Sequence, residues 1–261
     1  MDNVDLNKFL IVGEGKSVLS NTDIDYNSAC IKISDSITAF EDPFIFSDCE
    51  CLTSLVFSKN YIDSLEDVSF GNNLTSIIVP NGNLRYDSRN DCNAIIETAN
   101  NSLVIGCNQT VIPNGITEIV DDAFNSCRGL RSIILPQSIK IIGSFAFSSC
   151  DNLASIIIPD NVESIGVGAF AGCNMLTTLV VSKSNSIFDS RNNCNAIIES
   201  CTNTLVVGCC NTLIPQSVEA IGDYAFVGLN GLETLFIPNS VKTIGENAFI
   251  DCDNLILNNP T

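Results

Sequence analysis

Histidine and tryptophan are absent from this chain of 261 residues, and basic residues are scarce, with 12 Lys and Arg against 30 Asp and Glu. Without histidine there is no Ser-His-Asp or Cys-His nucleophile pair, no His-ligated zinc, and no ordinary imidazole base. The chain therefore reads as a non-enzyme, with no catalytic residue, cofactor or metal ion assigned. Its formal net charge of −18 repels nucleic acid and anionic lipid headgroups, so neither is expected as a partner. Apolar runs are only a few residues long, too short for a membrane-crossing helix, which argues against membrane insertion. The opening segment MDNVDLNKFLIVGEGKSVLS lacks the basic and long apolar regions of a signal peptide. No Cys-x-x-Cys pair occurs, and Cys49-x-Cys51 and Cys209-Cys210 are poor zinc spacings.

Apolar residues make up 45% of the chain, enough for a continuous core. Thirteen cysteines are present, an odd number that cannot all pair internally. The decisive feature is a repeat. IGSFAFSSCDNLASIIIP begins at Ile142, and related phrases begin at Ile119, Ile165, Ile221 and Ile244. The step is 23 residues, which lies in the leucine-rich-repeat range. Ala-Phe recurs at Ala123-Phe124, Ala146-Phe147, Ala169-Phe170, Ala225-Phe226 and Ala248-Phe249.

Within each repeat, Leu-x-x-Ile-x-Ile reads as a strand, with Ile156 and Ile158 on one side and Ile157 on the other. Proline ends the ladder at Pro159, Gly166 suits the corner, and Ala-Phe suits a short helical turn on the core. One turn of chain cannot bury both its strand and its arch, so turns must stack. The expected fold is a repeat solenoid, right-handed, with a parallel β-sheet on one face and short arches on the other. About nine strands would span roughly 40 Å. Residues 1–30 do not fit the repeat and are expected to form an N-terminal cap, with the solenoid over 31–261.

Two rungs are longer. YDSRNDCNAIIETANNSLVIGCNQTVIP at Tyr86 has a near-copy, FDSRNNCNAIIESCTNTLVVGCCNTLIP, at Phe188. The rungs over 80–113 and 182–215 thus run to 33 residues, and duplication of a four-rung block explains their separation. NAIIE and SLVIG around TANN read as a β-hairpin. It would set Cys92 facing Cys107, and Cys194 facing Cys209. Each pair could be a disulfide or two buried thiols.

The phrase Ile-Gly-x-x-Ala-Phe-x-x-Cys-x-x-Leu-x-x-Ile-x-Ile-Pro, nearly intact at 142–159 and 244–255, resembles the BspA-like leucine-rich repeat family (type 5). The likeness covers residues 31–257, and the Asp-Ser-Arg-Asn rung is similar to a variant found in such proteins from gut and oral Bacteroidetes. The resemblance implies a surface or secreted protein that adheres to or binds host proteins, with no family catalytic residues to carry over.

Several local motifs compete for a function. Gly13-Glu-Gly-Lys-Ser17 approaches a phosphate loop, but Leu10 stands where the first glycine is needed, so a turn is the better reading. Asn21, Asp23, Asp25 and Asn27 alternate oxygen ligands, yet a calcium loop's turn glycine and closing Glu are replaced by Tyr26 and Lys32. Asp87-Ser88-Arg89 and Asp189-Ser190-Arg191 have no base to activate the serine, and suit side-chain-to-backbone bonds in a tight turn. Cys127, Cys150, Cys173 and Cys252 share a repeat position that Leu229 also fills, which marks a buried apolar site.

The outward strand positions are the candidate partner surface. One row reads Val56, Ile78, Ile134, Ile157, Val180 and Phe236. Beside it runs a hydroxyl row with Ser54, Ser76, Ser132, Ser155, Thr178 and Thr234. Branched residues suit parallel strands in any case, but a continuous exposed apolar stripe marks an interface. The expected partner is a host or surface protein, or a glycan, and self-association is possible. The expected location is the cell surface or outside. The alternative is a cytoplasmic scaffold or effector with reduced cysteines.

Overall fold

The computed structural model describes residues 8–65, 68 and 70–258. The chain divides into two compact units, residues 1–113 and 114–261. Each is a parallel β-solenoid.

In the first unit the strands Leu10–Val12, Cys30–Ile33, Ser54–Val56 and Ser76–Ile78 form one parallel ladder. Leu10 pairs with Ile31, Ile31 with Leu55, and Leu55 with Ile77. The alternation read from sequence sets the core: Ile31, Ile33, Leu55, Phe57, Ile77 and Val79 are all buried. A second parallel ladder joins Val18–Leu19 to Ala39–Phe40. Laddered pairing therefore begins at Leu10, inside the segment expected as a cap. Residues 1–7 of that segment lie outside the described residues.

The second unit repeats the plan. Ser155–Ile158 pairs in parallel with Thr178–Val181, and Thr234–Phe236 with Ile256–Asn258. A second ladder runs through Glu118–Ile119, Ile141–Ile142 and Ser164–Ile165. It reappears as Thr204–Val207, Ala220–Ile221 and Thr243–Ile244. Rungs such as that of Ser155–Ile158 and Ser164–Ile165 thus carry two short strands. The residues of the second one were read as a corner. Gly143 and Gly166 follow these strands, where a Cβ would lie 2.4 and 2.3 Å from the backbone nitrogens of Asp121 and Ser144 in the preceding rung.

The Ala-Phe arches are not helical. Asp122, Phe145 and Tyr224, each just before Ala-Phe, have φ near +55° (57°, 52° and 55°), a left-handed conformation that breaks any helix. The flip turns alternate arch amides toward the following rung. Phe124 N–H donates to the Ala146 carbonyl at 2.7 Å, Phe147 N–H to Ala169 at 2.8 Å, and Phe226 N–H to Ala248 at 2.8 Å. The rings stack behind these bonds, with centroids 4.9 Å apart for Phe124–Phe147, 5.3 Å for Phe147–Phe170 and 5.2 Å for Phe226–Phe249.

The long rungs have no arch. Each instead folds a three-stranded antiparallel meander: Tyr86–Asp87, Ile95–Glu97 and Ser102–Ile105 in one, Phe188–Asp189, Ile197–Glu199 and Thr204–Val207 in the other. In the second unit the arch column closes behind the long rung, because Gly172 N–H donates directly to the Val227 carbonyl at 2.9 Å.

Candidate functional site: the open face of the sheet

Strand alternation places the side chains of the face. Ile156 and Ile158 are buried, while Ile157 between them is 63% exposed. At the same repeat position Ile134 is 86% exposed, Phe236 50% and Val180 38%. Ile157 and Val180 are direct partners across paired strands. The hydroxyls of Ser132, Ser155, Thr178 and Thr234 are exposed beside this row.

The first unit departs from the expectation. Val56 holds the outward register but is only 4% exposed. It lies between Lys32 and Ile78 on the paired strands, and the long lysine stem can cover an apolar neighbour. Ile78, Ser54 and Ser76 are half-buried. Of the expected row, the open part therefore lies in the second unit.

Two members of the row escaped the sequence reading. Val111 and Leu213, both 70% exposed, precede the Ile-Pro that ends each long rung. The signal was present in that tripeptide, and the inserted meander drew attention away from it. In the second unit the row is thus Ile134, Ile157, Val180, Leu213 and Phe236. None of these residues, nor the hydroxyls beside them, is ionisable, although the chain carries −18.

The competing motifs are absorbed by local structure. Lys16 forms an ion pair with Asp23, and its N–H closes a turn onto the Gly13 carbonyl at 3.2 Å. The hydrogen bond from Lys16 is the largest influence holding the Asp23 carboxyl below its usual range. Asp23 also accepts from the Ser20 backbone at 3.0 Å, and Asp25 from Asn27 N–H at 3.1 Å. The Asp-Ser-Arg turns are braces. Arg191 donates to Asp189 through Nε at 2.8 Å and through a terminal nitrogen at 2.5 Å, and to Asn203 at 2.8 Å. Ser190 Oγ donates to the Ala196 carbonyl at 2.7 Å and accepts from Val181 N–H at 2.9 Å. Burial opposes ionisation of Asp189, but bonds from Arg191 and Ser200 outweigh it and keep the carboxyl below its usual range. Ser88 and Arg89 repeat the pattern, with Ser88 Oγ bonded to Ala94 at 2.7 Å and Arg89 to Asp87 at 2.7 Å.

Each of the four hairpin cysteines bonds to a backbone carbonyl. Cys107 donates to the Asn93 carbonyl at 3.2 Å and Cys92 to Ala94 at 3.7 Å. Cys209 and Cys194 make the corresponding bonds to Asn195 at 3.1 Å and Ala196 at 3.6 Å. Burial pushes the Cys92 thiol up to about 11. Cys127, Cys150 and Cys173 are buried in the arch column.

The pattern of the BspA type leucine rich repeat region matches the chain in six copies, over residues 16–96, 100–205 and 207–259. The chain belongs to this family. Its fold is similar to that of the pneumococcal vaccine antigen PcpA, at 17% identity and a TM-score of 0.51, covering 95% of this chain and 55% of PcpA. A leucine rich cell surface protein from Faecalibacterium prausnitzii aligns at 18% identity and a TM-score of 0.48, covering 96% of this chain and 68% of that one. A leucine-rich repeat protein from Eubacterium ventriosum aligns at 16% identity and a TM-score of 0.47, covering 97% and 68%. No curated relative matches the sequence. No helix among the described residues is long and apolar enough to cross a membrane.

Proposed function

We propose that this chain is a non-catalytic binding module at the cell surface, which holds a protein or glycan partner on the open face of the second unit. One observation carries the reading. At a single repeat position of successive rungs, the apolar side chains of Ile134, Ile157, Val180, Leu213 and Phe236 are exposed beside a row of uncharged polar residues. Ile134, Ile157 and Phe236 are at least half exposed, and covering them removes apolar area from water at about 25 cal/mol per Å² before association costs. Membership of a leucine-rich-repeat family, whose members generally serve as interaction scaffolds, supports the same reading.

The test is Ile157→Glu. An outward position tolerates charge, so the variant should keep its melting temperature. Binding to immobilised matrix proteins and neutral polysaccharides should fall at least tenfold, since a central patch residue carries a disproportionate share. Unchanged binding would remove the face from consideration. The second reading, an intracellular scaffold, draws on the described cysteines being thiols. Counting free thiols without reductant separates the two, because oxidised pairs belong to exported proteins.

A further inference from the structure

Two side chains at opposite ends of the face are exposed and have no ion-pair partner among the described residues. Arg131 immediately precedes Ser132, and Glu233 immediately precedes Thr234. They occupy the same repeat position, two rungs before and two rungs after that of Thr178 and Val180. The other charged pairs that link rungs of this unit are satisfied internally, as in Lys140–Glu163 at 3.0 Å and Lys242–Glu219 at 2.5 Å.

From this arrangement we infer that the occupant of the face is a second copy of the chain, docked antiparallel about a two-fold axis lying along Thr178–Val181. The inference rests on the open-face reading above. Such an axis reverses rung order and keeps each residue's place along the strand. Ile134 then meets Phe236, Ile157 meets Leu213, and Val180 meets its own counterpart. The hydroxyl row also meets its own kind, with Ser132 against Thr234 and Ser155 against the exposed amide of Asn211. Arg131 of each copy comes opposite Glu233 of the other, so the interface closes with two opposite-charge pairs. An isologous interface requires this self-complementarity. A two-fold axis along the stacking direction would instead set each rung against itself and leave both charges unmatched. The net charge of −18 opposes association at low ionic strength. About 0.15 M salt shortens the screening length to about 8 Å and leaves contact pairs in force.

Sedimentation equilibrium of the whole chain at that ionic strength tests the inference. The wild type should dimerise. Arg131→Glu and Glu233→Arg should each weaken the dimer at least tenfold, through like charges at both ends. The double variant should return to within about threefold of the wild type, because the pairs are merely exchanged. Val180→Glu, which brings two carboxylates together on the axis, should abolish association while leaving the melting temperature unchanged. A wild type that stays monomeric overturns the inference, as does a dimer that ignores the single reversals or is not rescued by the double one. A monomer that still loses matrix or polysaccharide binding through Ile157→Glu overturns the second copy alone and leaves the open-face reading standing.

Discussion

The Cys150 thiol lies 3.3 Å from the carbonyl oxygen of Phe124, one rung earlier, and donates to it. Cys173 does the same to Phe147 at 3.1 Å, and Cys252 to Phe226 at 2.9 Å. The recurring cysteine is therefore a rung-to-rung donor as well as a small apolar filler. Leu229 takes that place in the rung whose arch abuts Gly172 across the long rung.

Cys150→Ala should cost about 1–2 kcal/mol, from a lost weak bond and a small cavity. The loss stays modest because the Phe124 carbonyl also accepts from Cys127 N–H at 3.0 Å. Urea midpoints of the two proteins measure it. A cost near that of a large core truncation would mean that the thiol does more than this geometry shows.

Alkaline pH should destabilise the fold. Burial raises Cys173 to about 12 and Cys49 and Cys92 to about 11, against 9.0 for an unperturbed thiol. Above pH 9 the unfolded chain releases these protons while the folded chain keeps them, so stability is intact below that value and falls as pH rises through the folded values. Denaturant midpoints at about pH 8 and about pH 10 should differ in that direction. Native-state alkylation should mark the exposed Cys51 and Cys201 well before the buried thiols.

Phe147→Ala should cost about 3–5 kcal/mol, since the ring is fully buried between Phe124 and Phe170. Rungs couple mainly to neighbours, so hydrogen exchange should speed up most in the flanking arches. Uniform acceleration across the second unit would show stronger coupling than nearest neighbours supply.

Asp189→Asn should cost about 1 kcal/mol at neutral pH, a value reduced for the partial exposure of the Asp189–Arg191 pair. The depressed Asp189 carboxyl adds stability above its unfolded value of 3.8 and loses it as pH falls through the lower folded value. The gap between variant and wild type should therefore narrow toward about pH 3. A constant gap would assign the effect to turn geometry rather than charge.

The rung and its inward face were legible because Leu153, Ile156 and Ile158 recur at a fixed step and alternate as a strand must. The second ladder was not, because two-residue strands such as Ser164–Ile165 are too short to show alternation. The arches misled for a different reason. Phe145 and Tyr224 hold left-handed φ, where bulky residues are rarely found, so nothing in Ala-Phe announced a flipped peptide. On the face, Ile134 and Ile157 followed directly from parity. Val56 did not, because its cover depends on which side chain the neighbouring strand supplies.

The bond from Gly172 to Val227 carries the hydrogen bonding of the arch column past the long rung. The arch column reads the chain as if the 33 residues were not there, while the second ladder takes up the meander strand Thr204–Val207 against Ala220–Ile221. Insertion and continuity are thus handled on different sides of the same turn. The arches on either side keep their hydrogen-bonded register across such a segment, so the array displays a different surface at that point while its arch column stays the same.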